Sequence, residues 1–123
     1  MSEALEHEQL CSYLRATYPE VIFISDASGL KLPIGQATRW ARLKSHRGVP
    51  DLIILEPRRN SHGLCIELKR TGEKIMKKDG SLKTVHLQEQ HDLLTTLRKK
   101  GYVANFALGF EEAQQMIDTY LTV

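Results

Sequence analysis

Gly48-Val49-Pro50-Asp51-Leu52-Ile53-Ile54-Leu55 and Leu64-Cys65-Ile66-Glu67-Leu68-Lys69 decide the fold. Residues 51–55 and 64–69 are short apolar runs rich in branched side chains. Turn formers bound them, with Gly48 and Pro50 ahead of the first and Pro57 through Gly63 between the two. Runs of this length and composition read as buried strands. The connection is short, so an antiparallel hairpin is the natural pairing. Side chains alternate along a strand. Asp51, Ile53 and Leu55 therefore share one face, and Cys65, Glu67 and Lys69 share one face of the next strand. With Asp51 opposite Glu67 or Lys69, three polar groups project together from an otherwise apolar sheet. Such groups cost free energy unless they are paired or hold a metal.

Working outward, residues 3–17 read as a helix stopped by Pro19, and residues 20–25 as a strand. Residues 26–29 form a turn. Pro33 opens an amphipathic helix over residues 34–45. Residues 71–85 are polar, with a tight turn at Lys78-Asp79-Gly80, and read as a hairpin or a loop. Residues 86–100 read as a helix closed by Gly101. Residues 102–108 form a strand and 111–121 a final helix. The order is αβ, α, ββ, αβα. This predicts one α/β domain over residues 1–123, with a central mixed β-sheet flanked by helices on both faces.

A hydrophobic fraction of 41% with 26% charged residues supports a globular core and excludes a disordered chain. Cys11 and Cys65 both lie in apolar segments and read as small buried hydrophobes, reduced in a cytosolic compartment. No basic-then-apolar leader and no run of membrane-spanning length is seen, so a cytoplasmic protein without a membrane partner is expected. The net charge of +2 hides an asymmetry. Of 17 Lys and Arg, 15 fall between residues 39 and 100, against 7 of the 15 Asp and Glu. A basic middle between acidic ends marks a face for a polyanion; a solvated charged surface is the plainer alternative.

Two hard carboxylates beside a lysine form an oxygen-only donor set that selects Mg²⁺ or Mn²⁺. Five scattered histidines make no zinc cluster. With a divalent cation, Asp51, Glu67 and Lys69 suit phosphodiester hydrolysis, the lysine orienting a water or neutralising developing charge. The structural alternative is an Asp51–Lys69 ion pair at the sheet end, with Glu67 as a second acidic partner.

The pieces Gly48-x-Pro50-Asp51, His62-Gly63-Leu64-x-Ile66-Glu67-Leu68-Lys69, Gln88-Glu89-Gln90, Gly101-Tyr102 and Gly109-Phe110-Glu111-Glu112-Ala113 follow one another in order. In these the chain resembles the PD-(D/E)xK nuclease superfamily, and more narrowly the small stand-alone VRR-NUC domains of phages and prophages. The resemblance implies a restriction-endonuclease-like fold in a phage- or prophage-encoded protein of a bacterial host cell. It implies Asp51 and Glu67 as metal ligands, with the Leu68 carbonyl completing the coordination. Lys69 is then the catalytic lysine and Gln90 faces the site. Such nucleases often take a further glutamate from the first helix. Leu10 and Leu14 mark its inward face; Glu3 and His7 fall on that side, Glu6 at its margin and Glu8 opposite. Glu3 is the expected fourth ligand. Asp26 is another nearby carboxylate, read here as a turn former.

The implied substrate is DNA. Arg39, Arg42, Lys44 and Arg47 precede the motif, and Lys74, Lys77, Lys78 and Lys83 follow it, so both clusters bracket the site with phosphate-binding charge. No recognition helix stands out, which favours reading of DNA shape in branched or junction structures. Trp40 is expected in the core, with base stacking as the alternative. The resemblance also implies a homodimer that resolves Holliday junctions, since a twofold dimer presents two symmetric sites. A monomeric flap or repair-type nuclease, and a non-catalytic DNA-binding module, are the competing readings.

Overall fold

The computed structural model describes residues 2–26 and 32–122. The turn expected at 26–29 lies outside them, apart from Asp26. Helix α1 (Glu3–Thr17) leads to β1 (Phe23–Ser25) and α2 (Ile34–Arg42). Strands β2 (Leu52–Ile54) and β3 (Leu64–Lys69) follow, then α3 (Val85–Lys99), β4 (Val103–Leu108) and α4 (Phe110–Leu121).

The strands form one sheet in the order β1-β2-β3-β4. The first two pairings are antiparallel, and β3–β4 is parallel. The parallel pair needs a crossover, which α3 supplies. Strand β3 is buried along its whole length, as its apolar run requires. Its even-numbered residues, Leu64, Ile66 and Leu68, join Leu52 and Ile54 against Leu10 and Leu14 of α1 and Ala113 and Ile117 of α4. On the opposite face Cys65 and Ala104 pack on Leu94, with Leu97, Tyr102 and Phe106 around them. This is a small α/β domain with a mixed four-stranded sheet and helices on both faces. Leu10 and Leu14 are fully buried, so truncating either to Ala costs about 2–5 kcal/mol.

Side chains fix the helix starts. Ser2 caps α1 by accepting from the Leu5 N–H, and Thr84 caps α3 by accepting from the Leu87 N–H. Helix α4 has no side-chain cap of its own. Its Phe110 N–H instead donates to Glu6 of α1 at 3.1 Å. Gly109, at φ +99°, makes that joint possible: a Cβ there would lie 2.1 Å from Thr71 Oγ1.

Two expectations change in the α2 region. The helix ends at Arg42 instead of 45, because Leu43 turns to φ −90°, ψ 0°. No α2 residue is buried, and Trp40 is 38% exposed rather than in the core. Its indole N–H finds a partner at the surface, Asp26 Oδ1 at 3.0 Å. The segment after β3 is a small hairpin: Met76 bridges Leu82, the Lys77 N–H donates to the Ser81 carbonyl at 2.7 Å, and Gly80 takes φ +87° at the turn. No helix among the described residues is long and apolar enough to cross a membrane.

Candidate active site

Strand register brings the acidic residues together. Leu52 pairs with Ile66 and Ile53 with Cys65. One more step along each strand sets Asp51 beside Glu67. Asp51 then turns inward, and its Oδ2 accepts the Leu68 N–H at 2.8 Å. A strand residue directs its N–H and C=O to the same side, so the Leu68 carbonyl faces the edge that Asp51 occupies. Lys69 Nζ stands 3.9 Å from Glu67 Oε2. Asp51, Glu67 and Lys69 are all buried.

Helix α3 closes the site from above. Gln90 is buried, and it packs where Gly48 has no side chain: a Cβ on Gly48 would meet Gln90 Cγ at 3.3 Å and its Cα at 3.4 Å. Gly48 also holds φ +76°, a conformation that favours glycine. These residues line a cleft of about 510 Å³, together with Glu3, Lys44, His46, Arg47 and His86.

The electrostatics of the cleft are unbalanced. Glu67 Oε1 and Gln90 Oε1 are buried without any hydrogen-bond partner. Native interiors rarely leave such atoms unpaired. Burial pushes the Glu67 carboxyl up to about 11, helped by its hydrogen bond to Asp51 and by the Asp51 charge; Lys69 opposes the shift. Glu3 is raised too, first by burial and then by Asp51. Lys69 alone does not neutralise these carboxylates. Among the described residues, no three His, Cys, Asp or Glu side chains already form a metal-binding group. The donor set fits Mg²⁺ or Mn²⁺ nonetheless, because such ions are commonly held by one or two carboxylates, with waters and substrate phosphate filling the other positions. Asp51, Glu67 and the Leu68 carbonyl would supply that partial shell, and Glu67 Oε1 is a buried oxygen without a partner in the protein.

The first helix differs from its expected phase. The buried stripe is Glu6-Leu10-Leu14; Glu6 is at its centre, not its margin. Its carboxylate turns away from the cleft and accepts from the Thr71 N–H at 2.9 Å, the Thr71 hydroxyl and the Phe110 N–H. Burial pushes its carboxyl up, but these three hydrogen bonds outweigh that and hold it below the usual range. Glu3 is the glutamate of α1 that lines the cleft, and Glu8 is exposed.

Of the basic residues, Lys44 and Arg47 line the cleft. Arg39 and Arg42 lie on exposed α2, and Lys74, Lys77, Lys78 and Lys83 are exposed on the hairpin after β3. Asp26 does not line the cleft; it pairs with Lys44 at 3.2 Å. Two cleft residues escape a reading of the sequence. His86 lies one helical turn before Gln90, and His46 sits in the turn between α2 and Gly48; only the i, i+4 spacing of His86 and Gln90 signalled either.

No protein-family model matches the chain, and no curated protein matches it. Among solved structures, the chain is similar to a protein described as "VRR_NUC domain protein", with a TM-score of 0.66 and 23% identity over 98% of this chain and 88% of that one. The likeness extends over nearly the whole domain and shows that the chain shares that protein's fold.

Proposed function

We propose that the chain is a Mg²⁺- or Mn²⁺-dependent, structure-selective DNA endonuclease of the PD-(D/E)xK type. Its substrate is branched DNA, Holliday junctions among them, and it acts as a homodimer. The observation that carries this reading is the convergence of Asp51, Glu67 and Lys69 in one basic-walled cleft with an unsatisfied carboxylate oxygen at its floor. The solved structure described as a VRR_NUC domain protein supports it at the level of fold.

Asp51 and Glu67 would hold the cation with the Leu68 carbonyl, and Glu3, which lines the same cleft, would add a further oxygen. When bound, the cation activates a water and stabilises charge on the phosphate. The Asp51 hydrogen bond to Leu68 fixes its carboxylate, so little reorganisation precedes reaction. Lys69 orients the attacking water and offsets negative charge as it develops. Gln90 donates its amide hydrogens into the cleft or accepts there through its unpaired oxygen. Lys44 and Arg47 grip backbone phosphates at the rim, which gives affinity without base readout. A twofold dimer supplies the second cut that a four-way junction needs. Exposed Ile22 and Ile24 beside the sheet edge, with Leu55, leave apolar surface for a second copy.

The test is incubation of labelled junction, flap and linear duplex with protein and Mg²⁺, alongside sedimentation of the protein alone. Paired symmetric incisions in the junction by a dimer are expected. Cleavage of none of the three DNAs overturns the enzyme reading; a monomer that cuts flaps replaces the junction reading.

A further inference from the structure

The half-buried Cys11 differs from the small apolar filler its sequence context predicts, and from Cys65. Cys65 is 2% exposed among Leu94 and Ala104, and burial alone pushes its thiol up to about 11. Cys11 instead stands in a polar group on the outer flank of α1. Its Sγ is 3.1 Å from Ser25 Oγ, and that hydroxyl is 3.1 Å from His7 Nε2. His7 and Cys11 are one helical turn apart, so both face β1 across the same gap. Arg15 follows one turn later and lines the same cavity, which has a volume of about 390 Å³. Glu8 and Asp26 are the acidic residues on its wall. Asp26 also pairs with Lys44.

We propose that Cys11 is a reactive thiol, activated by His7 and Ser25, that forms a mixed disulfide with small-molecule disulfides entering this cavity. Three features of the group serve that chemistry. The imidazole accepts the thiol proton, directly or through the Ser25 hydroxyl. Arg15 and the resulting imidazolium stabilise a thiolate, which is the nucleophilic form. The cavity gives a disulfide a path to Sγ of the half-buried Cys11, whereas Cys65, though it borders the larger cavity beneath α3, is 2% exposed and has no polar group to activate it. Burial by itself pushes the Cys11 thiol up, but its contacts to His7 and Ser25 and the charges of His7 and Arg15 bring it below the ordinary range.

The step balances without another oxidant. The Cys11 thiolate attacks one sulfur of the incoming disulfide, a new S–S bond forms, and the old one breaks. The Cys11 sulfur is oxidised and the departing sulfur is reduced. The departing thiolate recovers the proton held on His7.

The experiment incubates native protein with glutathione disulfide and maps adducts by mass spectrometry after an acid quench. One adduct per chain is expected, on Cys11, removed by dithiothreitol, with Cys65 unmodified until the chain is unfolded. Cys11 should react at least several-fold faster in the folded protein than in guanidinium at the same pH. H7Q and S25A should each slow the folded-state reaction several-fold while leaving the rate in guanidinium unchanged. Two results overturn the proposal: modification of Cys65 as fast as Cys11 in the native protein, or a Cys11 rate no faster than in the unfolded chain. Folded H7Q and S25A proteins that both keep the parent rate remove His7 and Ser25 as the activating groups.

Discussion

Glu6 and Glu67 are equally buried, at 3% exposure each, yet they sit in opposite kinds of surroundings. Glu6 lies at the joint of α1, β3 and α4, and three donors from Thr71 and Phe110 meet its carboxylate. Glu67 lies at the floor of the cleft with one oxygen unpaired and Asp51 beside it. The first region lowers its carboxyl and the second raises its own. Burial therefore does not distinguish a carboxylate satisfied by the fold from one left unsatisfied. Partners do: Glu6 has its partners within the protein, whereas Glu67 Oε1 has none, which is what the proposed cation site requires.

The strongest way to break this contrast is to remove each charge in turn. Glu67→Gln should lower DNA cleavage by about 10³-fold or more, measured as single-turnover rates on a labelled junction, while DNA binding persists. A variant that cleaves at the parent rate removes Glu67 from the catalytic machinery, whereas a non-catalytic module predicts no cleavage by either protein and unchanged DNA binding. Glu6→Ala should act on stability, costing about 3 kcal/mol in urea denaturation because charged hydrogen bonds are lost and buried N–H groups are left unpaired.

The two sites should also titrate in opposite directions. A raised folded-state carboxyl pKa means that the native protein holds the proton more tightly than the unfolded chain. The Glu67 contribution is then fully present below the ordinary carboxyl range and is lost as pH rises toward about 11. Glu6 is depressed, so its contribution is present above the ordinary range and is lost as pH falls through its folded value. Thermal unfolding of metal-free protein across pH should show both limbs. Glu67→Gln should flatten the alkaline limb, and Glu6→Gln the acid one. On the proposed cation site, Mg²⁺ should raise the melting temperature most at alkaline pH, where Glu67 is ionised and able to ligate it.

Smaller effects belong to the rim. Lys44→Ala and Arg47→Ala should each weaken DNA binding on every sequence alike and reduce the salt slope of log K by about 1. Arg39→Ala, on the exposed face of α2, should do less, because Arg39 lies outside the cleft.

Much of this architecture was legible in the chain because the β2 and β3 runs are short, apolar and closely connected. Their alternation put Glu67 and Lys69 on one face, and the brief connection predicted the antiparallel hairpin; the register stayed open between Glu67 and Lys69 opposite Asp51, and the structure sets Asp51 beside Glu67. The phase of α1 was misjudged at Glu6. Its position completes the Leu10–Leu14 stripe, but the donors that justify burying a carboxylate come from Thr71 and Phe110, 65 and 104 residues away. No local pattern encodes such a pairing. Trp40 was misplaced for a related reason: an amphipathic pattern shows that a helix has an apolar face, not that anything in the same chain covers it. His46 and His86 joined the cleft only through tertiary packing.

The central claim is that the Asp51–Glu67 pair is a divalent-cation site. Its most direct test is a crystal structure of the protein soaked in Mn²⁺, with anomalous scattering recorded. The account predicts a peak between the Asp51 and Glu67 carboxylates and within coordination distance of the Leu68 carbonyl, absent in Glu67→Gln. A cleft with no peak at saturating Mn²⁺, or with Lys69 seated between the two carboxylates in the metal's place, would contradict it.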